Sequence, residues 1–211
     1  KIVSIDKSKA LALDGIEIIL THEDFTPHYF TTAGQGYPEP SPRDTSMFNK
    51  TMRFVGDRVA VVAGESLEVV EEALALINVE YEELPTIFDM GDSIDNDTVI
   101  HPGKDGFSFL HDASRNIAAN ISEELGDVQK GFNDSDYVFE GTYFTPYAQQ
   151  CSIEPHITLT WLDENDRLII RTATQVPYHV RRVVAEILDI PVRKIRVIKP
   201  RIGGGFGGKQ E

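Results

Sequence analysis

One cysteine, Cys151, stands in 211 residues. A single thiol closes no internal disulfide, and by itself holds neither an iron–sulfur cluster nor a structural zinc. A reducing, cytoplasmic setting is the expectation. Long hydrophobic runs are also missing. No stretch approaches the ~20 apolar residues of a membrane-spanning helix, and no signal peptide is visible. Positive charge is scarce: 20 Lys and Arg stand against 34 Asp and Glu, a net charge of −14. Nucleic acid is thereby disfavoured as the main partner, because phosphate binding needs a basic face. There are no internal repeats and no low-complexity segments. The six histidines (His22, His28, His101, His111, His156, His179) show no metal-ligand spacing, so ordinary surface or core roles are expected for them. An initiator Met is absent, and Lys1–Asp6 already reads as a strand, so the chain is expected to begin inside a longer polypeptide.

What is present is an ordinary globular composition, 41% hydrophobic and 26% charged. Ile2–Ile5 and Ile16–Leu20 read as strands around a weak helix, Ser8–Leu13, which Gly15 ends. Thr21 with Asp24 suggests a one-turn capped helix. Residues Thr32 to Asp44, with Pro38, Pro40 and Pro42, read as an extended loop. Arg58–Ala63 reads as a buried strand. Ser66 is then a helix N-cap, and Leu67, Val70, Leu74 and Ile77 form an apolar stripe, with Glu68, Glu71 and Glu72 on the wet side. Val79, Tyr81 and Leu84 alternate as a strand that ends at Pro85. A polar linker of about twenty residues follows.

Beyond it, Asp127–Phe132 reads as a short helix. Tyr137–Phe144, Ile157–Leu162 and Leu168–Thr172 read as strands, with a hairpin turn over Asp163–Asp166. The strongest helix begins near Pro177, a residue suited to a first helical position. Val180, Val183, Val184, Ile187 and Leu188 form its apolar stripe, and Pro191 stops it. A strand at Ile195 and Val197 then leads directly into Gly203-Gly204-Gly205-Phe206-Gly207-Gly208, five glycines in six positions. Without Cβ atoms such a backbone approaches a ligand closely, and successive N–H groups pointing one way suit an anion or an oxo group. The run is neither a dinucleotide fingerprint, which needs a following helix, nor a P-loop, since no Ser or Thr follows Lys209. A bare glycine run reads as a flexible linker. Phe206, Lys209 and the preceding helix–strand pair argue against that here.

Three stretches then carry a resemblance: Thr174-Gln175-Val176-Pro177, Val180-Arg181-Arg182-Val183-Val184, and Ile198-Lys199-Pro200-Arg201-Ile202 running through the glycine turn to Lys209-Gln210. Together they are similar to the molybdenum hydroxylases, which include xanthine dehydrogenases, aldehyde oxidases and carbon monoxide dehydrogenases. Pro38-Glu39-Pro40-Ser41-Pro42 and Arg53-Phe54-Val55-Gly56-Asp57-Arg58-Val59-Ala60 resemble that family's first domain. Ile153-Glu154-Pro155-His156 resembles the entry to its cofactor-binding domain. The fold implied is α+β: a small mixed α/β hammerhead domain over 1–84, a linker over 85–110, and the start of a truncated molybdopterin-cofactor-binding domain over 111–211.

The resemblance implies the molybdenum subunit of a hydroxylase that oxidises purines such as xanthine or hypoxanthine, with water as oxygen source. Its cofactor would be molybdenum–molybdopterin. Iron–sulfur clusters and FAD would sit on partner subunits or domains, because Cys151 alone cannot ligate a cluster. An oligomeric full-length form is implied as well. Gln175, Gly204, Gly205, Phe206 and Gly207 match cofactor-binding positions, with Gln175 and Phe206 beside the metal rather than ligating it. Gln210 matches a substrate-contacting position where many purine-oxidising members carry Glu, a departure that bears on the substrate. Glu154 reads equally as a structural hydrogen-bonding residue, and Cys151 as a small buried side chain. The family's general base lies far downstream, so no catalytic base is expected here and the isolated chain is expected to be inactive. The alternatives are an aldehyde- or other N-heterocycle-oxidising member, or a non-catalytic assembly or binding module of this fold.

Overall fold

The computed structural model describes residues 1–32, 41–103 and 109–210, and divides into two compact units, Lys1–Ala119 and Asn120–Glu211. Pro38, Glu39 and Pro40 of the expected loop lie outside the described residues, as does Glu211.

In the first unit the elements are β1 (Ile2–Asp6), α1 (Ser8–Leu11), β2 (Ile16–Thr21), β3 (Ala60–Gly64), α2 (Leu67–Leu76) and β4 (Asn78–Tyr81). β1 pairs antiparallel with β4, and β2 antiparallel with β3. The core gathers Ala10 of α1, Ile19 of β2 and Ala73 of α2, with Leu13, Ile16, Val62, Leu76 and Ile77 packed around them. Helix α2 is therefore turned from the expected stripe. Leu67 and Leu74 are exposed and Ala73 is fully buried, because the face of α2 packed on α1 and β2 carries Ala73. Ser66 caps α2 as expected, its hydroxyl accepting from Val69 N at 3.3 Å. Ser66→Ala is expected to cost about 1 kcal/mol of stability, read as a lower denaturant midpoint for this unit.

Other expectations shift. β3 starts at Ala60 rather than Arg58 and is half-buried. Thr21 and Asp24 form a turn rather than a helix: the Asp24 carboxylate accepts from Thr21 N at 2.7 Å and also from the Lys7 ammonium, a demand on that carboxylate that an isolated cap would not have. The stretch expected as linker is tied into this unit. Arg53 Nε donates to the Ile100 carbonyl at 3.0 Å, and the Asn116 amide accepts from Ile100 N while donating to the Ser93 and Thr98 carbonyls.

In the second unit α3 (Val128–Asn133) starts at an Asp127 cap, whose carboxylate accepts from Lys130 N at 2.8 Å. Residues 137–144 form no strand. Their backbone finds no neighbouring strand among the described residues, and Phe139, Tyr143 and Phe144 are exposed; strand composition alone cannot supply a hydrogen-bonding partner. β5 (Thr158–Leu162) pairs antiparallel with β6 (Leu168–Thr172) across a turn at Asp163–Asp166, where the Asp163 side chain accepts from Asn165 N and Arg167 N. β6 pairs parallel with β7 (Ile195–Ile198). Parallel neighbours need a crossover, and α4 (Pro177–Ile187) supplies it, starting at Pro177.

Leu168 and Ile170 stand opposite Ile195 and Val197. Val180, Val184 and Ala185 of α4 close that face. Leu188, expected in the stripe, is exposed because the helix caps there and Asp189 turns left-handed, φ 51°. Among the described residues no helix is long and apolar enough to cross a membrane.

Candidate functional site

The crossover decides what meets the glycine turn. β6 ends at Thr172, α4 begins at Pro177, and residues 173–176 between them lie against 203–209. Ala173 and Thr174 are buried. The Thr174 hydroxyl donates to the Lys209 carbonyl at 3.2 Å, and Gln175 N donates to the same carbonyl at 2.8 Å. The Gln175 side chain returns the contact: its Oε1 accepts from Gly207 N at 3.0 Å and from Lys209 N at 3.3 Å. An amide oxygen held by two backbone donors fixes which way the amide faces. Nε2 is left as the free end, and it donates to nothing among the described residues.

Glycine is required here for a spatial reason. A Cβ on Gly205 would stand 2.5 Å from Gln175 Oε1, and one on Gly203 would stand 2.7 Å from Glu154 Cβ. Gly204 and Gly207 adopt φ of +102° and +91°, and Phe206 follows with φ 50°, its ring exposed. Gly208 N donates to Gly205 O at 2.8 Å and Gln210 N to Gly207 O at 3.3 Å. The N–H groups of Gly204, Gly205 and Phe206 find no acceptor among the described residues. Three consecutive backbone donors and one amide nitrogen are thus left to donate to oxygen ligands or an anion.

Against the turn lies an ion pair that no sequence spacing links, in which Glu154 takes the structural hydrogen-bonding role that was one reading of it. Lys209 is only 2% exposed, and its ammonium donates to Glu154 Oε2 at 2.6 Å. The same oxygen accepts from Gly203 N at 2.8 Å. The Lys209 ammonium, with the Gly203 N–H adding to it, holds the Glu154 carboxyl below its ordinary range. His156 Nε2 donates to the Gly208 carbonyl at 2.9 Å. A cleft of 550 Å³ opens over the turn, lined among others by Gln149, Gln150, Cys151, His156 and Gly207. Cys151, expected to be buried, is exposed with φ 46°, as are Gln149 and Gln150 before it.

All five expected cofactor-side residues, Gln175, Gly204, Gly205, Phe206 and Gly207, thus meet in one place. Gln210 follows at the exposed edge. Lys209 carried a signal only as the residue ending the glycine run, and no spacing links it to Glu154. The donor set fits a molybdenum–pterin group, since oxo and phosphate oxygens accept from free N–H groups.

Two family models match. Residues 1–85 fit the aldehyde oxidase and xanthine dehydrogenase a/b hammerhead domain, and residues 110–211 fit the molybdopterin cofactor-binding domain. The chain belongs to the molybdenum hydroxylase family of xanthine dehydrogenases and aldehyde oxidases. It is 42% identical to “Probable hypoxanthine oxidase XdhD” of Escherichia coli O157:H7, over 100% of this chain and 25% of that protein. It is 36% identical to the xanthine dehydrogenase molybdenum-binding subunit of the same organism, over 99% of this chain and 27% of the relative. The chain therefore spans about a quarter of the length of these curated relatives. Among solved structures it is similar to quinoline 2-oxidoreductase from Pseudomonas putida 86, with a TM-score of 0.80, 30% identity, and coverage of 99% of this chain and 26% of that one.

Proposed function

We propose that this chain furnishes one wall of the molybdenum site in a hydroxylase that oxidises purines such as xanthine or hypoxanthine. One observation carries the reading: Gln175 Oε1 is held by Gly207 N and Lys209 N, which leaves its Nε2, like the N–H groups of Gly204–Phe206, without an acceptor among the described residues. When bound, the molybdenum–pterin group supplies two-electron oxidation with oxygen drawn from water. The chain's own part is to bind and to polarise. Gln175 Nε2 and the turn N–H groups donate to oxygens that gain negative charge, and such preorganised donors lower the barrier without reorganising. Gly205 leaves the space that the Gln175 amide occupies, and Phe206 and Gly207 shape the exposed rim of the turn. Gln210 lies at the substrate edge, where a neutral amide both donates and accepts, as recognition of a heterocycle's ring nitrogens and carbonyls requires. A general base is not assigned to any residue of this chain.

The purine reading is supported by the relatives' names. The quinoline oxidoreductase likeness supports the wider class of N-heterocycles as the alternative. Electrons leave, in this proposal, through iron–sulfur clusters and FAD on partner subunits or domains of an oligomeric, cytoplasmic enzyme, since Cys151 alone cannot ligate a cluster. The family models, matching 1–85 and 110–211, support placing a hammerhead domain over 1–84, a linker over 85–110 and the start of the cofactor domain over 111–211. The test is Gln175→Ala in the intact protein. Turnover per bound molybdenum is expected to fall about 10- to 100-fold, the usual effect of removing a polar group that tunes a metal. Unchanged turnover at equal metal content overturns the role.

A further inference from the structure

We infer that Glu154 and Lys209 form a strut that positions the glycine turn and, through it, Gln175. The inference rests on the proposed function and adds to it two positioning residues that act through the turn they hold.

The geometry is specific. A single oxygen, Glu154 Oε2, holds both ends of the turn: Gly203 N at 2.8 Å and Lys209 Nζ at 2.6 Å. Glu154 lies 49 and 55 residues away from them in sequence, so it joins the approach to β5 to the exit from β7. Lys209 is also the residue against which Gln175 is set. Its carbonyl accepts from Gln175 N and its N–H donates to Gln175 Oε1. The mechanical path thus runs from the Glu154 carboxylate to the Lys209 ammonium, to the Lys209 backbone, to the Gln175 amide. An exposed ion pair is worth little, but Lys209 is 2% exposed while the Glu154 side chain is 31% exposed. The burden of desolvation therefore falls on the lysine, and removing its partner leaves an uncompensated buried charge. Gly203 fits the same reading, since any Cβ there would collide with Glu154 Cβ at 2.7 Å and force the carboxylate away.

The asymmetry gives an unusual ordering of variants. Glu154→Gln keeps an acceptor for Gly203 N but strands the buried ammonium. Lys209→Met removes that charge at similar bulk, keeps the backbone contacts to Gln175, and leaves Glu154 able to reach solvent. The double variant Glu154→Gln/Lys209→Met is therefore expected to be milder than Glu154→Gln alone.

The experiment uses the intact protein. Metal analysis gives molybdenum per polypeptide, and hydrogen exchange with mass spectrometry follows the peptide spanning 203–210. Glu154→Gln should lose roughly tenfold in molybdenum content and speed exchange of the turn amides by a similar factor, with the double variant recovering most of both. In whatever fraction still loads, kcat per molybdenum should fall, because the Gln175 amide is displaced with the Lys209 backbone. Wild-type values in Glu154→Gln, or a double variant as damaged as the single, overturn the strut. If Glu154→Gln does not fold, the double variant decides: a folded, loaded double supports the pairing, and a double that also fails to fold overturns it. If the wild-type protein binds no molybdenum, the proposed function fails, while the exchange measurements still support or overturn the strut by the same criteria.

Discussion

Gly205→Val is expected to leave the intact protein nearly devoid of molybdenum while its secondary structure is unchanged. A Cβ at residue 205 would meet Gln175 Oε1 at 2.5 Å, Cδ at 2.7 Å and Cγ at 2.9 Å, distances at which something must move. Gln175 cannot yield cheaply. Its main-chain N–H is held by the Lys209 carbonyl, and its Oε1 by Gly207 N and Lys209 N. Moving it breaks all three, and the turn then no longer fixes which way the Gln175 amide faces. The turn is the alternative mover, but Gly205 is buried and Gly205 O accepts from Gly208 N, so a shift at 205 pulls on 208. A branched side chain adds bulk to a position with no space for a methyl group. The loss of metal should exceed tenfold, with Gly205→Ala intermediate. Gly131 of α3 is the control, because nothing lies within 4 Å of a Cβ built there; Gly131→Ala should load normally and, as a helix position, stabilise slightly. Equal molybdenum content in Gly205→Val and wild type contradicts both the clash and the placement of the cofactor wall.

The residues in that collision differ in how readable they were. Gln175, Gly205 and Phe206 are legible because the glycine run and the Pro177 helix start are local patterns, and because the stretch between them resembles a known family. The Ser66 cap and the β6–α4–β7 succession are legible for the same reason: hydrophobic period and capping chemistry act over a few residues. Glu154 and Lys209 meet across 55 residues, and no periodicity links them. A lysine is also among the side chains least often buried, so its type argued for the surface. The rotation of α2 was missed for another reason. Leu67 and Leu74 outrank Ala73 in hydrophobicity, but which face of α2 packs on α1 and β2 decides what is buried, and that face carries Ala73. Tyr137–Phe144 shows the converse error. Its composition suits a strand, but a strand exists only where another backbone offers a ladder, and among the described residues none does.

Ile195→Ala is expected to destabilise the second unit by about 2–5 kcal/mol, the cost of a buried large aliphatic cut to a methyl. Ile195 is 2% exposed, opens β7 opposite Leu168, and packs with Ile170 and Ala185 under α4. Its carbonyl accepts from Arg181 Nε at 2.9 Å, so the start of β7 is held to the crossover helix by side-chain packing and by a charged donor together. The cavity cannot be filled easily, because Leu168, Val180 and Val197 already pack against that cluster. In hydrogen exchange the protection of peptides covering Leu168–Thr172 and Ile195–Ile198 should fall roughly thirtyfold or more, since exchange there reports the opening free energy of the unit. Leu159→Ala, at a side chain 61% exposed on β5, should stay within about 0.5 kcal/mol of wild type. The effect should then reach the site, because the glycine turn begins five residues beyond the end of β7 and its geometry depends on where that strand ends. Exchange at 203–210 should rise with β7, by a smaller factor, because Glu154 and Gln175 still hold the turn directly. Protection of β6 and β7 unchanged in Ile195→Ala contradicts the core assignment. A turn unaffected while β7 opens shows instead that the Glu154 and Gln175 contacts alone set its shape.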